Sequence, residues 1–217
     1  MILIEGLPGT GKSTFAKNLV RALEGKCKVR LFLETDEDNP FIYKTGTTID
    51  SNIEDFSNFV LNAWCTFLKN ESYKDHIYIQ ESLTIQQQMN FPLVINKVEK
   101  GKSLINEIFK KIERVNPVLI YLYSSNPVAH FEKTMKSRGT EWEQQVRGTL
   151  STSALLKDKK IDEPIKFFIE ELVLNTEDVL EECPFRVLRF NIDEKSYDEI
   201  LGEVVDLIYD ENKKAFN

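Results

Sequence analysis

The sequence predicts an α/β fold built on a parallel β-sheet, and two observations lead to it. Short apolar segments recur along the 217-residue chain, and stretches with the apolar spacing of a helix separate them. The first apolar segment also runs directly into a glycine-rich loop and from there into a helical stretch. Strands that alternate with helices form parallel sheets through right-handed crossovers. The chain is long enough for one large domain of this kind.

The first strand is the apolar run Ile2-Leu3-Ile4, which shows no polar alternation and therefore suits a strand buried on both faces. Residues 6–13 read GLPGTGKS, a full match to the P-loop pattern G-x-x-x-x-G-K-[ST]. Apolar residues then repeat at helical spacing from Phe15 to Leu23, and Gly25 is a stop signal. Strand, loop and helix in this order are the context in which the pattern marks a phosphate site.

The loop predicts a site for ATP and Mg²⁺, with a purely structural glycine-rich turn as the alternative. In such loops the backbone N–H groups point at the phosphates, and the dipole of the following helix favours negative charge. We expect Lys12 to reach the β- and γ-phosphates and Ser13 to bind Mg²⁺. The predicted nucleotide-binding residues of the loop are Gly6, Gly9, Thr10, Gly11, Lys12, Ser13 and Thr14.

Four further strands are predicted from short apolar segments. They run from Val29 to Leu33, from His76 to Gln80, from Val118 to Tyr123 and from Arg186 to Phe190.

Helical stripes of apolar residues fill the segments between the strands. A capping box at residues 51–54 is expected to start the helix that contains Trp64. Asn126-Pro127 is expected to start another helix, and residues 196–199 form a second capping box before the last one. The segment from Thr84 to Lys100, which contains Pro92, predicts no clear element.

Composition limits the kinds of partner and compartment. The formal net charge is -7, which disfavours a nucleic-acid partner, and 41% of the residues are hydrophobic, as in soluble globular proteins. The three cysteines lack disulfide or zinc spacing, so we interpret them as buried thiols in a reducing compartment. The sequence shows no signal peptide and no apolar run of membrane-spanning length. We expect a cytoplasmic protein, a monomer or homodimer, with no membrane partner.

Acidic residues follow the second and third predicted strands. Ligands of parallel α/β sheets bind outside the carboxyl ends of the strands. Glu34 follows the second strand, in the segment ETDEDNP, and Glu81 follows the third. A carboxylate in the place of Glu81 suits the role of orienting water bound to Mg²⁺, so Ser13 and Glu81 are the predicted metal residues. Asp36 to Asp38 are either part of the site or solvated surface.

These motifs resemble the nucleoside- and nucleotide-kinase branch of P-loop proteins, and most of all the deoxynucleoside kinase and thymidylate kinase group. GLPGTGKST resembles that group's phosphate loop, and Glu34 matches the position of its catalytic base. Glu81-Ser82 resembles its Glu-Arg-Ser motif, and Arg138-Gly139 resembles its arginine-bearing lid. The resemblance implies a three-layer P-loop NTPase fold, with a five-stranded parallel sheet in the order 2-3-1-4-5, helices on both faces and a lid. It also implies one domain over residues 1–217, with acceptor-binding helices at about 36–75 and 84–114 and a lid at about 137–158.

The sequence departs from this group where the acceptor would bind. The arginine of the Glu-Arg-Ser motif is missing, since Ser82 and Leu83 follow Glu81, and the Asp-Arg-aromatic motif of thymidylate kinases is absent. No arginine occurs between Glu34 and Glu113, although an acceptor that already bears phosphate would favour a bidentate arginine. We therefore expect a small-molecule hydroxyl acceptor, either a nucleoside or another polar or cationic compound such as an aminoglycoside.

Two arginines flank the predicted lid. Lids of this type bring positive charge to the transferring phosphoryl group and exclude water. Arg138 is therefore a predicted catalytic residue and Arg147 a predicted nucleotide-binding residue, with two solvated arginines as the alternative. Trp142 between them either packs the lid or stacks on a ring. The run from Gln86 to Gln88 either contacts an acceptor or is polar surface.

The chain is thus predicted to be an ATP-dependent kinase with Lys12, Glu34 and Arg138 as its catalytic residues. The main rival is an NTPase switch or ATPase that hydrolyses nucleotide without a small-molecule acceptor. Motor-type ATPases usually end the third strand with Asp-Glu, whereas this strand is followed by one carboxylate, in the pair Gln80-Glu81. A binding module without chemistry is the third alternative, and the intact Lys12, Ser13 and Glu81 argue against it.

Overall fold

The protein contains a five-stranded parallel β-sheet in the order β2-β3-β1-β4-β5, which confirms the predicted fold class. The computed structural model describes residues 1–37, 39–41, 52–69, 76–157 and 161–215. The strands are β1 (Ile2–Gly6), β2 (Val29–Phe32), β3 (Ile77–Glu81), β4 (Val118–Tyr123) and β5 (Arg186–Asn191).

The strand ends differ from the prediction by a residue or two at the edge where ligands bind. β4 agrees with the prediction at both ends, because a proline precedes it and a serine pair follows it. β2 ends one residue early, so Leu33 begins the turn that carries Glu34. β3 is shifted by one residue, and Glu81 is its last member. β1 continues through Glu5 and Gly6 because these two residues pair with β4.

Helices cover both faces of the sheet. They are α1 (Lys12–Leu23), α2 (Ile53–Lys69), α3 (Gln86–Val94), α4 (Val98–Ile112), α5 (Pro127–Arg138), α6 (Thr140–Ser151), α7 (Pro164–Glu181) and α8 (Tyr197–Ala215). Alternate residues of each strand face opposite sides, so the sheet supports two cores. Ile4 and Ile120 pack against α1 and α8, whereas Leu3 and Leu119 pack on the side of α2, α4 and α7. Trp64 is fully buried in the second core, as its helical spacing predicted.

The predicted starts of α5 and α8 are confirmed by the hydrogen bonds of their capping residues. The Asn126 side chain accepts a hydrogen bond from the backbone N–H of Ala129, and Pro127 is the first residue of α5. In the second capping box Ser196 and Glu199 each accept a hydrogen bond from the backbone N–H of the other. Ser51, the first residue of the other predicted box, lies outside the described residues. At the start of α2 the Asn52 side chain accepts a hydrogen bond from the backbone N–H of Glu54.

Helix α3 occupies part of the segment for which the sequence predicted no clear element. Pro92 lies inside it, and most of its residues are buried, so neither an amphipathic stripe nor a stop signal marks it. Gly101 of α4 allows the close approach of these two helices. A Cβ atom there would lie 2.9 Å from Cβ of Pro92, which is closer than carbon atoms pack. The alternative of a polar surface for Gln86 to Gln88 is wrong at both ends of the run, since Gln86 and Gln88 are buried.

The cysteines differ from the expectation of buried thiols. Cys27, Cys65 and Cys183 are free, but each is partly exposed, because all three lie near helix ends or on the outer part of a helix. Among the described residues, no helix is both long enough and apolar enough to cross a membrane.

Candidate active site

The phosphate loop connects β1 to α1, and its glycines are required by close packing. A Cβ atom on Gly6 would lie 2.2 Å from the backbone oxygen of Leu122, and one on Gly9 would lie 2.0 Å from Oγ1 of Thr134. Gly6 and Gly9 also have positive φ angles of 147° and 89°, which glycine adopts without strain. The loop therefore lies directly against β4 and α5, and substitution at either glycine would displace it.

Side chains on both sides of the loop hold its backbone. The hydroxyl of Thr10 donates to the backbone oxygen of Leu7 at 2.8 Å. The hydroxyl of Tyr197, at the start of α8, donates to the backbone oxygen of Thr10 at 2.9 Å. Tyr197 was missed by the sequence reasoning, because nothing in a sequence links the first residue of the last helix to a loop 187 residues earlier.

Lys12 is the buried cation of the site. It is the first residue of α1 and is only 4% exposed, and its Nζ donates to the backbone oxygen of Leu7 at 2.8 Å. Burial lowers the pKa of Lys12, while the charges of Glu81, Glu34 and Glu5 act in the opposite direction. The three acidic side chains therefore favour the charged form of this buried ammonium, and burial opposes it.

Glu34 and Glu81 lie together at the carboxyl edge of the sheet. The backbone N–H of Glu34 donates to Oε2 of Glu81 at 3.4 Å, and the hydroxyl of Ser82 donates to Oε1 of Glu81 at 2.7 Å. The side-chain amide of Gln86 donates to Oε2 of Glu34 at 3.4 Å. Burial raises the pKa of Glu34, and the neighbouring carboxylate of Glu81 raises it further. Two carboxylates and the buried Lys12 therefore meet at the end of adjacent strands.

Ser13 and Glu81 fit the chemistry of a Mg²⁺ site. A serine hydroxyl and a carboxylate are oxygen ligands of the kind that Mg²⁺ takes together with water and phosphate oxygens. Ser13 follows Lys12 on α1. The charge of Glu81 acts to raise the pKa of Lys12, so Glu81 lies near this end of the helix. Within the described ranges, no group of three or more His, Cys, Asp or Glu side chains could hold a metal by itself.

Glu5 is a further buried acid that the sequence reasoning missed. Its side chain is 1% exposed and accepts three backbone hydrogen bonds, from Thr84 at 2.8 Å and from Ile85 and Gln86 at 3.0 Å each. Burial raises the pKa of Glu5 to about 7, against the lowering effect of these three bonds and of the Lys12 charge. The signal was available, since an acid that ends an apolar strand just before a phosphate loop needs a partner.

The two predicted lid arginines lie in different surroundings. The Cζ atom of Arg138, at the end of α5, lies 4.6 Å from the ring centroid of Trp142, and the Arg138 charge lowers the pKa of both Lys12 and Glu34. Arg147 is exposed on α6, and its Nη2 lies 2.9 Å from Oε1 of Glu143. The structure thus brings Arg138 towards the phosphate loop, whereas Arg147 pairs within its own helix.

The other strand-end residues make structural contacts. Oδ2 of Asp36 accepts the backbone N–H of Leu33 at 2.8 Å, which closes the turn after β2. Asp38 lies outside the described residues. Beyond β4 and β5, the hydroxyl of Ser124 donates to Oδ2 of Asp193 at 2.8 Å, and the side-chain amide of Asn191 donates to the hydroxyl of Ser125 at 2.7 Å. These bonds tie the ends of the two strands together.

Comparison with known proteins identifies the fold. No protein-family model matches the chain, and no curated protein sequence matches it. Among solved structures, the YorR protein of Bacillus subtilis in complex with phosphorylated GDP has a TM-score of 0.58 at 14% identity, covering 98% of this chain and 97% of that one.

Two solved kinases are also similar over nearly the full length of both chains. Deoxyadenosine kinase from M. mycoides with bound dATP has a TM-score of 0.56 at 18% identity, covering 96% of this chain and 98% of that one. Thymidylate kinase from Ehrlichia chaffeensis has a TM-score of 0.53 at 15% identity, covering 96% of this chain and 97% of that one. The chain therefore has the fold of P-loop nucleoside and nucleotide kinases.

Proposed function

We propose that the protein is an ATP-dependent phosphotransferase that moves the γ-phosphate to a hydroxyl group of a small molecule. The observation that carries the proposal is the meeting of Lys12, Glu34 and Glu81 at the carboxyl edge of the sheet, beside the phosphate loop. A kinase needs a cation for the phosphates, oxygen ligands for Mg²⁺ and a base for the acceptor, and these three residues supply one of each.

The phosphate loop and Lys12 bind the nucleotide in this proposal. Backbone N–H groups from Gly9 to Thr14 surround the phosphates at the start of α1, and Lys12 leaves the oxygen of Leu7 to contact the β- and γ-phosphates. Ser13 and Glu81 would hold Mg²⁺, which neutralises phosphate charge when bound. Each of these groups is at the same edge of the sheet as Glu34.

Glu34 is the proposed general base. The acceptor oxygen forms a bond to the γ-phosphorus, the bond from that phosphorus to the β,γ-bridging oxygen breaks, and the acceptor proton passes to Glu34. A raised pKa makes the Glu34 carboxylate a stronger base than an exposed glutamate. Arg138 supplies positive charge to the phosphoryl group as it transfers, and α6 with Trp142 forms the lid over it.

The proposed acceptor class is a nucleoside or another polar or cationic alcohol. The absence of arginine between Glu34 and Glu113 supports an acceptor that carries no phosphate of its own. The rival function is hydrolysis of the nucleotide without an acceptor. Its weakness is that β3 ends with the pair Gln80-Glu81, which has one carboxylate, whereas motor-type ATPases usually have Asp-Glu there.

ATP consumption with and without hydroxyl compounds tests the proposal. A kinase consumes ATP slowly alone and accelerates with its acceptor, while a phosphorylated product accumulates in a 1:1 ratio to ADP. The panel contains nucleosides, aminoglycosides and simple sugars, and Lys12→Ala is the control for contaminating ATPases. Full turnover without any acceptor, and no phosphorylated product from any compound, would favour the hydrolase.

A further inference from the structure

The first residue of α8, Tyr197, contacts the phosphate loop from outside the loop. Its hydroxyl donates a hydrogen bond to the backbone oxygen of Thr10 at 2.9 Å. The loop also packs closely against this hydroxyl, because a Cβ atom on Gly11 would lie 2.7 Å from Oη of Tyr197. A single side chain of the last helix therefore touches two consecutive residues of the loop, directly before Lys12 at the start of α1.

Burial of the ring does not explain the position of Tyr197. The side chain is 39% exposed, and among the described residues it is one of two large hydrophobic side chains that stand out as exposed. A surface tyrosine usually rests its ring on the protein and leaves its hydroxyl in water. Here the hydroxyl is bonded to the loop, although more than a third of the side chain remains in solvent. The hydroxyl is therefore the part of Tyr197 whose contact requires an explanation.

The start of α8 holds Tyr197 in a fixed place. Ser196 and Glu199 form the capping box of the helix, and the hydroxyl of Ser196 also donates to Oε2 of Glu199 at 2.7 Å. Ile200 follows and is fully buried in the core that α8 shares with α1. Burial raises the pKa of Tyr197, and the charge of Asp193 raises it further, so the hydroxyl keeps the proton that it donates.

The hydrogen bond from Tyr197 fixes the direction of one peptide unit of the loop. A peptide unit is planar and trans, so its C=O and N–H groups point in opposite directions. Since the oxygen of Thr10 is held towards Tyr197, the N–H of Gly11 points away from α8. Gly11 is the residue before α1, and the N–H groups at the start of a helix have no acceptor within the helix. Such N–H groups are the ones that bind phosphate.

This peptide unit needs support from outside the loop. The preceding unit is held within the loop itself, because the N–H of Thr10 donates to the backbone oxygen of Leu7 at 3.2 Å and its hydroxyl donates to the same oxygen at 2.8 Å. The next unit ends at Gly11, which has a φ of 74° and no side chain. Glycine tolerates both orientations of the peptide plane that precedes it. The bond from Tyr197 selects one of the two.

We propose that Tyr197 is a positioning residue of the phosphate site, which holds the peptide between Thr10 and Gly11 so that the N–H of Gly11 faces the nucleotide phosphates. The inference rests on the proposed function only in that the loop binds these phosphates, and it does not depend on the acceptor. Without the hydroxyl, this peptide reverses in part of the molecules, and the loop then presents a carbonyl oxygen where a phosphate needs a donor. Because the donor faces a phosphate before and during transfer, its loss weakens binding and leaves the transfer step unchanged.

The test compares Tyr197→Phe with Tyr209→Phe in the full chain. Tyr197→Phe removes the hydroxyl and keeps the ring. Tyr209 lies in the same helix, and in the part of the chain that the structure describes its hydroxyl has no hydrogen-bond partner, so Tyr209→Phe is the matched control. Calorimetry measures the binding of ATP and of inorganic tripolyphosphate, both with Mg²⁺, to the parent and to each variant. Tripolyphosphate carries the phosphates without the nucleoside, so the two ligands separate a contact with phosphate from a contact with the base.

We expect Tyr197→Phe to bind ATP and tripolyphosphate about five- to tenfold more weakly than the parent, which is the loss that corresponds to one hydrogen bond. The factor should agree between the two ligands within about twofold, and Tyr209→Phe should bind both like the parent. At equal concentration, each ligand should raise the Tm of Tyr197→Phe less than that of the parent. In transfer assays the KM of ATP should rise by the same factor, while kcat stays within about twofold.

Unchanged binding of both ligands by Tyr197→Phe would overturn the inference, because the hydroxyl would then only anchor α8. A loss for ATP without a loss for tripolyphosphate would overturn it as well, since Tyr197 would contact the nucleoside. So would a fall in kcat at unchanged affinity. If Tyr197→Phe weakens the binding of both ligands but no alcohol accelerates ATP consumption, the inference stands and the proposed transfer fails. A parent protein that does not bind tripolyphosphate overturns the inference, and if it does not bind ATP either, the proposed function fails too.

Discussion

The side-chain amide of Gln86 donates a hydrogen bond to the carboxylate of Glu34 across 3.4 Å, which joins the start of α3 to the turn after β2. The bond fixes one carboxylate oxygen of Glu34. The basicity of the carboxylate is increased because burial and Glu81 raise the pKa of the group, although the Ser82 side chain acts in the opposite direction. The hydrogen bond from Gln86 therefore holds the Glu34 carboxylate in one orientation, whereas a solvated acid in a loop would be free to rotate.

Replacing Glu34 with glutamine tests the base. Glu34→Gln keeps the size of the side chain but cannot take a proton, so transfer to a hydroxyl should fall by roughly a hundredfold or more while ATP affinity is retained. The measurement is the transfer rate with the best acceptor of the panel, alongside ATP binding by calorimetry. Glu37→Gln is the matched control, since Glu37 is exposed in the same turn. A Glu34→Gln rate close to that of the parent would remove the base role and favour an acceptor that is already anionic.

Loss of Lys12 should abolish transfer and weaken ATP binding. The ammonium is the buried cation of the phosphate loop, and phosphate charge is greatest in the transition state, so Lys12→Ala should reduce kcat/KM by about a thousandfold. Lys17→Ala, on the exposed face of α1, is the control. Circular dichroism must show that both variants are folded, because Lys12→Ala leaves three acidic side chains without their cation. Turnover by Lys12→Ala at the parent rate would mean that the loop does not act on the γ-phosphate.

Arg138 should affect the rate much more than the binding of ATP. A lid arginine acts when the lid closes and charge spreads over the transferring phosphoryl group, so Arg138→Ala should lower kcat by about a hundredfold or more and alter ATP affinity little. Arg21→Ala, an exposed substitution at the end of α1, controls for loss of one surface charge. Equal losses in kcat and ATP affinity would assign Arg138 to ground-state binding instead. If Arg147→Ala loses more activity than Arg138→Ala, Arg147 is the catalytic arginine and the role predicted for Arg138 is wrong.

The sequence predicts the elements that have local signals. β4 and the starts of α5 and α8 follow from Pro117, Asn126 and the Ser196–Glu199 box, because turn and cap residues act on their immediate neighbours. Helix α3 has no such signal, since its buried glutamines depend on contacts with α4 and α7 that only the tertiary structure supplies. For the same reason, no local pattern of the sequence marks the hydrogen bond between Tyr197 and Thr10, which joins the start of α8 to the phosphate loop.

Glu5 connects the phosphate loop to the helix that reaches Glu34. It precedes Gly6 in β1, and its carboxylate accepts the backbone N–H groups of Thr84, Ile85 and Gln86 at the start of α3. A negative charge at this helix N-terminus is favourable, but burial opposes it and dominates, so the pKa of Glu5 is about 7 in the folded protein. In the unfolded chain the pKa returns towards 4.5.

This difference predicts a stability that falls as the pH rises from about 4.5 to about 7. In that interval the folded protein holds the Glu5 proton and the unfolded chain has released it, so raising the pH favours unfolding, by up to about 3 kcal/mol from this group alone. Glu5→Gln has no proton to release, and its unfolding free energy should fall less steeply than that of the parent over the same interval. Urea unfolding followed by circular dichroism at several pH values measures both slopes.

Glu199→Gln is the control, because hydrogen bonds from Ser196 lower the pKa of Glu199 and move its titration to more acidic pH. Equal slopes for Glu5→Gln and the parent would show that Glu5 is ionised throughout, held by its three backbone hydrogen bonds.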